Sequence, residues 1–310
     1  DDERVSAAAE RFLNEISATD PLSEANEPAA ERLAEAFTAY LRASREDGAL
    51  STLPPGRFLM PGDMEGSPAL TFAPMPPPAG QVRSNSLYAM LERRYEAYKS
   101  VVVRPFFRDH FARLDRQIVL VDTLRALNAG PVAVADLETA LTDILACFRQ
   151  GDNNLLTRLV ARKIDRILFA ATKADHIHSS SHDRLEALMN RLVAQAARRA
   201  KFAGAQTKSI ALAAIRATRE SVVEEHEVIV GTPQPGEVLD GVTYDGKTEV
   251  ALFPGDLPSD PDTLLTAPVA LNFLRFQPPG KLEKNAEGNV VLPHIRFDRA
   301  IDFLIGDWLR

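Results

Sequence analysis

The sequence predicts an α/β protein built on a short parallel sheet, and three observations carry that prediction. Residues 117–124 (QIVLVDTL), 164–171 and 209–215 (SIALAAI) are short, nearly continuous apolar runs, the pattern of strands buried on both faces. Helix-period segments at 135–149 and 182–202 separate them, and strand, helix, strand, helix, strand is the order of a parallel sheet with crossover helices. Each run also stops on polar residues: Asp122, then Thr172-Lys173-Ala174-Asp175, then Arg216-Ala217-Thr218. In an open parallel sheet a ligand lies outside the carboxyl ends of the strands, so these three endings are where chemistry is sought.

The remaining elements follow in chain order. Residues 1–50 carry two amphipathic helices, with Val5, Ala8, Ala9, Phe12, Leu13 and Ile16 on the first and Ala30, Leu33, Ala34, Phe37, Tyr40 and Leu41 on the second. Asp20-Pro21 and Glu27-Pro28 mark the loop between them. Residues 51–82 are rich in proline and glycine and read as loop. A third helix is expected over 86–100. Past the third apolar run, residues 221–256 turn into short alternating segments broken by TPQPG, YDGK and FPGD, which predict small antiparallel strands. One more strand is expected at 269–276, and an amphipathic helix at 297–309 closes the chain.

Composition narrows the function. The 310 residues are 45% apolar and 25% charged, an ordinary globular balance, with a net charge of −7. That sign disfavours recruitment of nucleic acid or an anionic membrane by the whole-molecule field. The single cysteine, Cys147, permits neither an intrachain disulfide nor a thiolate metal cluster and is expected to be an inert core thiol. No apolar run reaches the roughly 18 residues of a membrane span and no signal peptide opens the chain, so the cytoplasm is the expected compartment. The acidic start without methionine, Asp1-Asp2-Glu3, creates the expectation of sequence upstream.

The strand endings suggest a nucleotide site. Asp175 offers two acceptor oxygens to a pair of adjacent N–H donors, and the N1–H and exocyclic amine of guanine are such a pair, which adenine lacks. Thr172 is expected to tie the loop to neighbouring backbone, and the Lys173 stem to lie along the base plane. Asp122 could hold the water shell of a Mg²⁺ ion on phosphates, or it could be a helix N-cap. Arg216 could close over base or ribose, or be a surface arginine. His176, His178 and His182 lack convergent carboxylates or cysteines and read as a polar loop in preference to a metal cluster. Glu224, Glu225, His226 and Glu227 read as solvated charges. The string Gly204-Ala-Gln-Thr-Lys-Ser209 is a decoy for a phosphate loop, because no glycine precedes the lysine and a strand follows. No GxxxxGK[ST] occurs in the 310 residues.

Five blocks carry a resemblance: PGRFLMPGDMEGSPAL (55–70), FFRDHFARLDRQIVLVDTLRALNAGP (106–131), IDRILFAATKADHIH (164–178), LAAIRAT (212–218) and LPHIRFDRAIDFLIGDWLR (292–310). Together they resemble the YcjX family, also called DUF463, bacterial proteins related to P-loop GTPases and associated with stress responses. The resemblance implies a Ras-like three-layer P-loop NTPase core whose N-terminal part, with the Walker A loop, lies upstream. It further implies a helical insertion region over 1–105, and the C-terminal part of the NTPase domain over 106–310. It implies GTP/GDP and Mg²⁺ as ligands and, when intact, GTPase activity. Without Walker A this chain is expected to be inactive alone. By position, Thr172, Lys173 and Asp175 resemble the guanine-reading motif, Ile215 and Arg216 the last base-contacting loop, and Asp122 the Walker B aspartate. The switch glycine three residues after that aspartate is here Arg125. This departure leans towards an alternative, a nucleotide-dependent interaction protein with little hydrolysis, binding a protein partner through its helical region; a third reading, an ATPase, requires Asp175 to take no part in base recognition.

Overall fold

The computed structural model describes residues 3–47, 59–109, 113–147, 164–268 and 271–309, and these form two compact units, Asp1–Arg113 and Leu114–Arg310. In the first unit, α1 (Glu3–Ser17) and α2 (Glu27–Asp47) pack together with α3 (Leu87–Tyr98), and the short α4 (Arg104–Asp109) follows a π-helical turn. Asn26 caps α2 by accepting the Ala29 N–H at 2.9 Å, so Pro28 falls in the first helical turn and not in the loop. Ser86 caps α3 in the same way, through the Ala89 N–H. The core of this unit gathers Phe12, Leu33, Phe72, Leu87 and Leu91, with the Phe12 and Phe37 rings 5.1 Å apart. Residues 55–58 of the glycine-rich PGRFLMPGDM segment lie outside the described residues, as does the side chain of Cys147; the described part of the segment ends in a 3-10 turn at Gly62–Met64.

The second unit holds a parallel sheet of β1 (Arg116–Val121), β2 (Arg166–Ala171) and β3 (Gln206–Ala211), in the order β1-β2-β3. Pairing is in register, Val121 opposite Ala171 and Ala171 opposite Ala211, so the three carboxyl ends stand level. β2 is central and covered on both faces. Ile167, Phe169 and Ala171 face one apolar cluster; Leu168 and Ala170 face another. The first cluster takes in α5 (Thr123–Ala129), α6 (Pro131–Cys147), α7 (His182–Leu192) and α8 (Ala194–Phe202). The second takes in α10 (Phe297–Ile305). α10 is held by Arg116, whose guanidinium lies 3.9 Å from the Trp308 ring and pairs with Asp307.

Four sequence expectations move. The helix read at 135–149 starts four residues earlier, at Pro131, and a separate helix that the sequence reading did not place, α5, precedes it and ends at Gly130 (φ 97°). The third strand begins three residues earlier than its apolar run, so the decoy residues Thr207, Lys208 and Ser209 sit inside β3. The strand expected at 269–276 is absent among the described residues: only Phe276 makes a bridge, to Pro233, and 269–270 lie outside them. The helix read at 182–202 is interrupted at Val193, which joins α7 to α8.

A second sheet, antiparallel, joins β4 (Arg219–Val223), β5 (His226–Gly231) and β8 (Val250–Leu252). Its first hairpin turns through Glu224 and Glu225, both with positive φ, the handedness a two-residue turn requires. Two further two-stranded ribbons, β6 (Val238–Leu239) with β7 (Val242–Thr243) and β9 (Glu283–Lys284) with β10 (Val290–Val291), and a short helix α9 (Thr263–Thr266) complete the unit. The chain is thus an α/β protein with parallel and antiparallel sheets.

Candidate functional site

The loop after β2 is tied to the ends of both neighbouring strands. Thr172 donates its N–H to the Val121 carbonyl at 2.8 Å and its hydroxyl to the same oxygen at 3.2 Å, fixing the loop to β1. Lys173 adopts a left-handed conformation (φ 60°, ψ 35°), unusual for a residue with a Cβ, and this reverses the chain. The Ala174 N–H then reaches the Leu212 carbonyl beyond β3 at 3.2 Å, and Ala174–His176 forms a buried 3-10 turn.

Asp175 sits in that turn at 5% exposure. Its Oδ2 accepts the Ala217 N–H at 2.8 Å, and its backbone carbonyl accepts the Thr218 hydroxyl. Oδ1 makes no hydrogen bond among the described residues. Oδ1 is not among the buried atoms left without a partner, so it still reaches solvent, and one acceptor position stays open to a ligand at the strand end. The third ending supplies the rest of the wall. Ala213 bridges to Ile295, Arg216 donates its N–H to the Pro293 carbonyl at 2.7 Å, and its guanidinium binds the Thr218 carbonyl and Glu220. Arg216 is therefore fastened within its own loop; Ile215 beside it is half exposed.

Asp122 caps α5, with Oδ1 accepting the Arg125 N–H at 3.3 Å. Its Oδ2 lies 2.7 Å from the Lys173 ammonium. Both oxygens are thus committed to donors, one of them a cation, and a Mg²⁺ ion placed here would meet the lysine charge. Among the described residues no three His, Cys, Asp or Glu side chains stand close enough to hold a metal. A metal bound directly to the Asp122 carboxylate does not fit these residues. The Lys173 stem, expected along a base plane, runs from the strand end of β2 to the strand end of β1.

The three histidines have separate roles. His176 is buried, edge-on to the Phe276 ring at 5.4 Å, and burial lowers its pKa below the ordinary imidazole value. His182, buried at the start of α7, bonds through Nε2 to the Ala174 carbonyl at 2.8 Å, so that nitrogen carries the proton. Burial lowers its pKa too. His178 pairs with Glu227 at 2.8 Å and Glu220 at 3.4 Å, while Ser179 and Ser180 bond the same two carboxylates. Glu227, read from sequence as a solvated charge, thus fastens the loop after Asp175 to β5.

Sequence reasoning missed Ala217, Glu220, Phe276 and the Asp122–Lys173 pair. Only Glu220, four residues after Arg216, left a local signal. Clefts of about 420 Å³, by Arg184 and Leu257, and 250 Å³, by Arg198 and Ser209, are lined by none of the strand-end residues. No helix of the described residues is long and apolar enough to cross a membrane.

Comparison with known proteins gives one answer. Residues 1–309 match the model of the YcjX-like family, DUF463. A protein of Escherichia coli (strain K12) described as "Ras-like GTPase YcjX" is 36% identical over 299 residues, covering 94% of this chain and 62% of the relative. A protein of the same description from Shewanella oneidensis (strain MR-1) is 33% identical over 306 residues, covering 96% and 61%. The chain therefore spans about three fifths of the length of the curated relatives it matches. On a match that runs from its first residue to its penultimate one, the chain belongs to the YcjX-like family.

Proposed function

We propose that this chain supplies the base-reading half of a guanine-nucleotide site in a Ras-like, P-loop NTPase fold, with Thr172-Lys173-Ala174-Asp175 as the reading loop. The observation that supports it best is the Asp175 carboxylate, nearly buried past the central strand, with Oδ1 open. Guanine presents two adjacent N–H donors to such an acceptor; adenine presents none in that arrangement. In this reading Ala217 and Thr218 hold Asp175 from the third strand end, Ile215 lines the base edge, Arg216 braces the loop, and nucleotide hydrolysis belongs to the intact protein. The relatives' description as Ras-like GTPases fits this assignment. The region 1–105 is read as a helical insertion that presents a surface to a protein partner.

Competition binding by the intact protein tests the proposal. GTP and GDP should outcompete ATP by several orders of magnitude, because adenine leaves the buried carboxylate without its donors. Equal affinities for GTP and ATP would refute guanine reading and favour the ATPase alternative.

A further inference from the structure

We infer that Asp122 is a positioning residue for the Lys173 side chain and not a ligand of magnesium. The inference rests on the base-reading proposal above and adds a residue and a role to it.

Four features converge. β1 and β2 pair directly and in register, so Asp122 and Thr172 leave the sheet level with one another and the Asp122 carboxylate is delivered to the reading loop. Lys173 is fixed at its backbone end by the left-handed turn and at its ammonium by Asp122, 2.7 Å away, so its four-carbon stem is pinned at both ends two residues before Asp175. Pinning removes the rotamer freedom that a lysine otherwise loses on binding, which is how a flexible side chain becomes a preformed wall. The second Asp122 oxygen accepts the Arg125 N–H and caps α5, so both carboxylate oxygens already have donors within the chain. Arg125 stands where a phosphate-sensing loop would need glycine, and here it is the third residue of a capped helix.

The pair is partly exposed, with 32% of the Asp122 side chain and 45% of the Lys173 side chain accessible, so its energy is modest. Its effect is expected in orientation.

Asp122→Asn separates the roles, because asparagine caps a helix as well as aspartate and carries no charge for the lysine. Melting should stay close to wild type. Reductive methylation of Lys173, followed by mass spectrometry, should be faster in the variant. In the intact protein GDP affinity should fall roughly two- to fivefold, the range of an exposed ion pair, and by the same factor with magnesium or with excess chelator. Asp122→Glu should recover part of it. Asp122→Asn should add nothing to Lys173→Met. A loss seen only when magnesium is present, or unchanged Lys173 labelling, would overturn the inference. If Lys173→Met weakens GDP and Asp122→Asn does not, the positioning role fails while base reading stands. If Lys173→Met has no effect, the positioning role fails, while guanine reading by Asp175 stands or falls with the competition experiment above.

Discussion

Asp175 and Asp122 both follow strands of one sheet, yet the first is 5% exposed and held by backbone and hydroxyl donors, while the second is a partly exposed helix cap facing an ammonium. The strands before them differ in the same direction. β2 is buried on both faces from Ile167 to Ala171. β1 buries Val121 against the helices but leaves Ile118 38% and Leu120 62% exposed on the opposite face. The bare residues alternate with Val119 and Val121, which face the cluster that α5 and α6 join. The contrast teaches where specificity can reside: a buried, half-satisfied acceptor discriminates among ligands, and an exposed ion pair orients.

The contrast can be broken most severely in the strands. Phe169→Ala should cost about 3–5 kcal/mol, the range for a truncated buried aromatic, read as the shift in urea midpoint. A cost near zero would mean that β2 is not the centre of the core. Next comes the brace behind Asp175. A Cβ at Gly231 would lie 2.8 Å from Phe276 Cδ1 and 3.1 Å from the Ala217 carbonyl. Gly231→Ala should destabilise by roughly 1–3 kcal/mol and loosen the third strand-end loop, seen as faster amide exchange at Ala217. Wild-type exchange there would show that the loop is independent of Phe276.

A smaller effect is expected with pH. Burial holds His176 and His182 neutral, with folded pKa values below the unfolded value of about 6.5. Their contribution is intact above that value. Between it and the lower folded values the unfolded chain takes up protons that the folded one refuses, so stability falls as pH drops through this window. His182→Gln, whose amide still reaches the Ala174 carbonyl, should flatten the melting-temperature slope between pH 7 and pH 5, taken as approximate limits of that window. An unchanged slope would assign the acid sensitivity elsewhere. The smallest change should come from Leu120→Ser, within about 0.5 kcal/mol of wild type, because the leucine is already exposed. A loss of several times that would mean that the bare face of β1 is covered in solution.

Much of this contrast was legible in the residues, and the illegible part has a physical pattern. Continuous apolar runs located the three parallel strands; in β2 the run reflects burial on both faces, whereas β1 keeps its run with Ile118 and Leu120 exposed and the polar start of β3, Gln206 to Lys208, fell outside its run. The Thr172-to-Asp175 loop was legible because its residue types and place after a strand are local facts. Gly130-Pro131 held the signal for the start of α6, and α5 stayed hidden because Thr123 and Leu124 continue the apolar run of β1. Long-range partners were not legible. Nothing near Asp175 in sequence announces Ala217, 42 residues away, and nothing near Lys173 announces Asp122, 51 residues away. The roles of His176 and His182 likewise came from burial, which a run of histidines and serines does not display.

The central claim, that Asp175 reads guanine, is tested most directly by Asp175→Asn in the intact protein, with GTP, XTP and ATP competing for the site. An asparagine amide can donate where the carboxylate accepted, and xanthine offers an oxygen where guanine offers its amine. The account predicts that the variant loses GTP by orders of magnitude and gains XTP, with ATP weak throughout. A variant that keeps GTP affinity, or one that loses all three nucleotides equally while remaining folded, would contradict it.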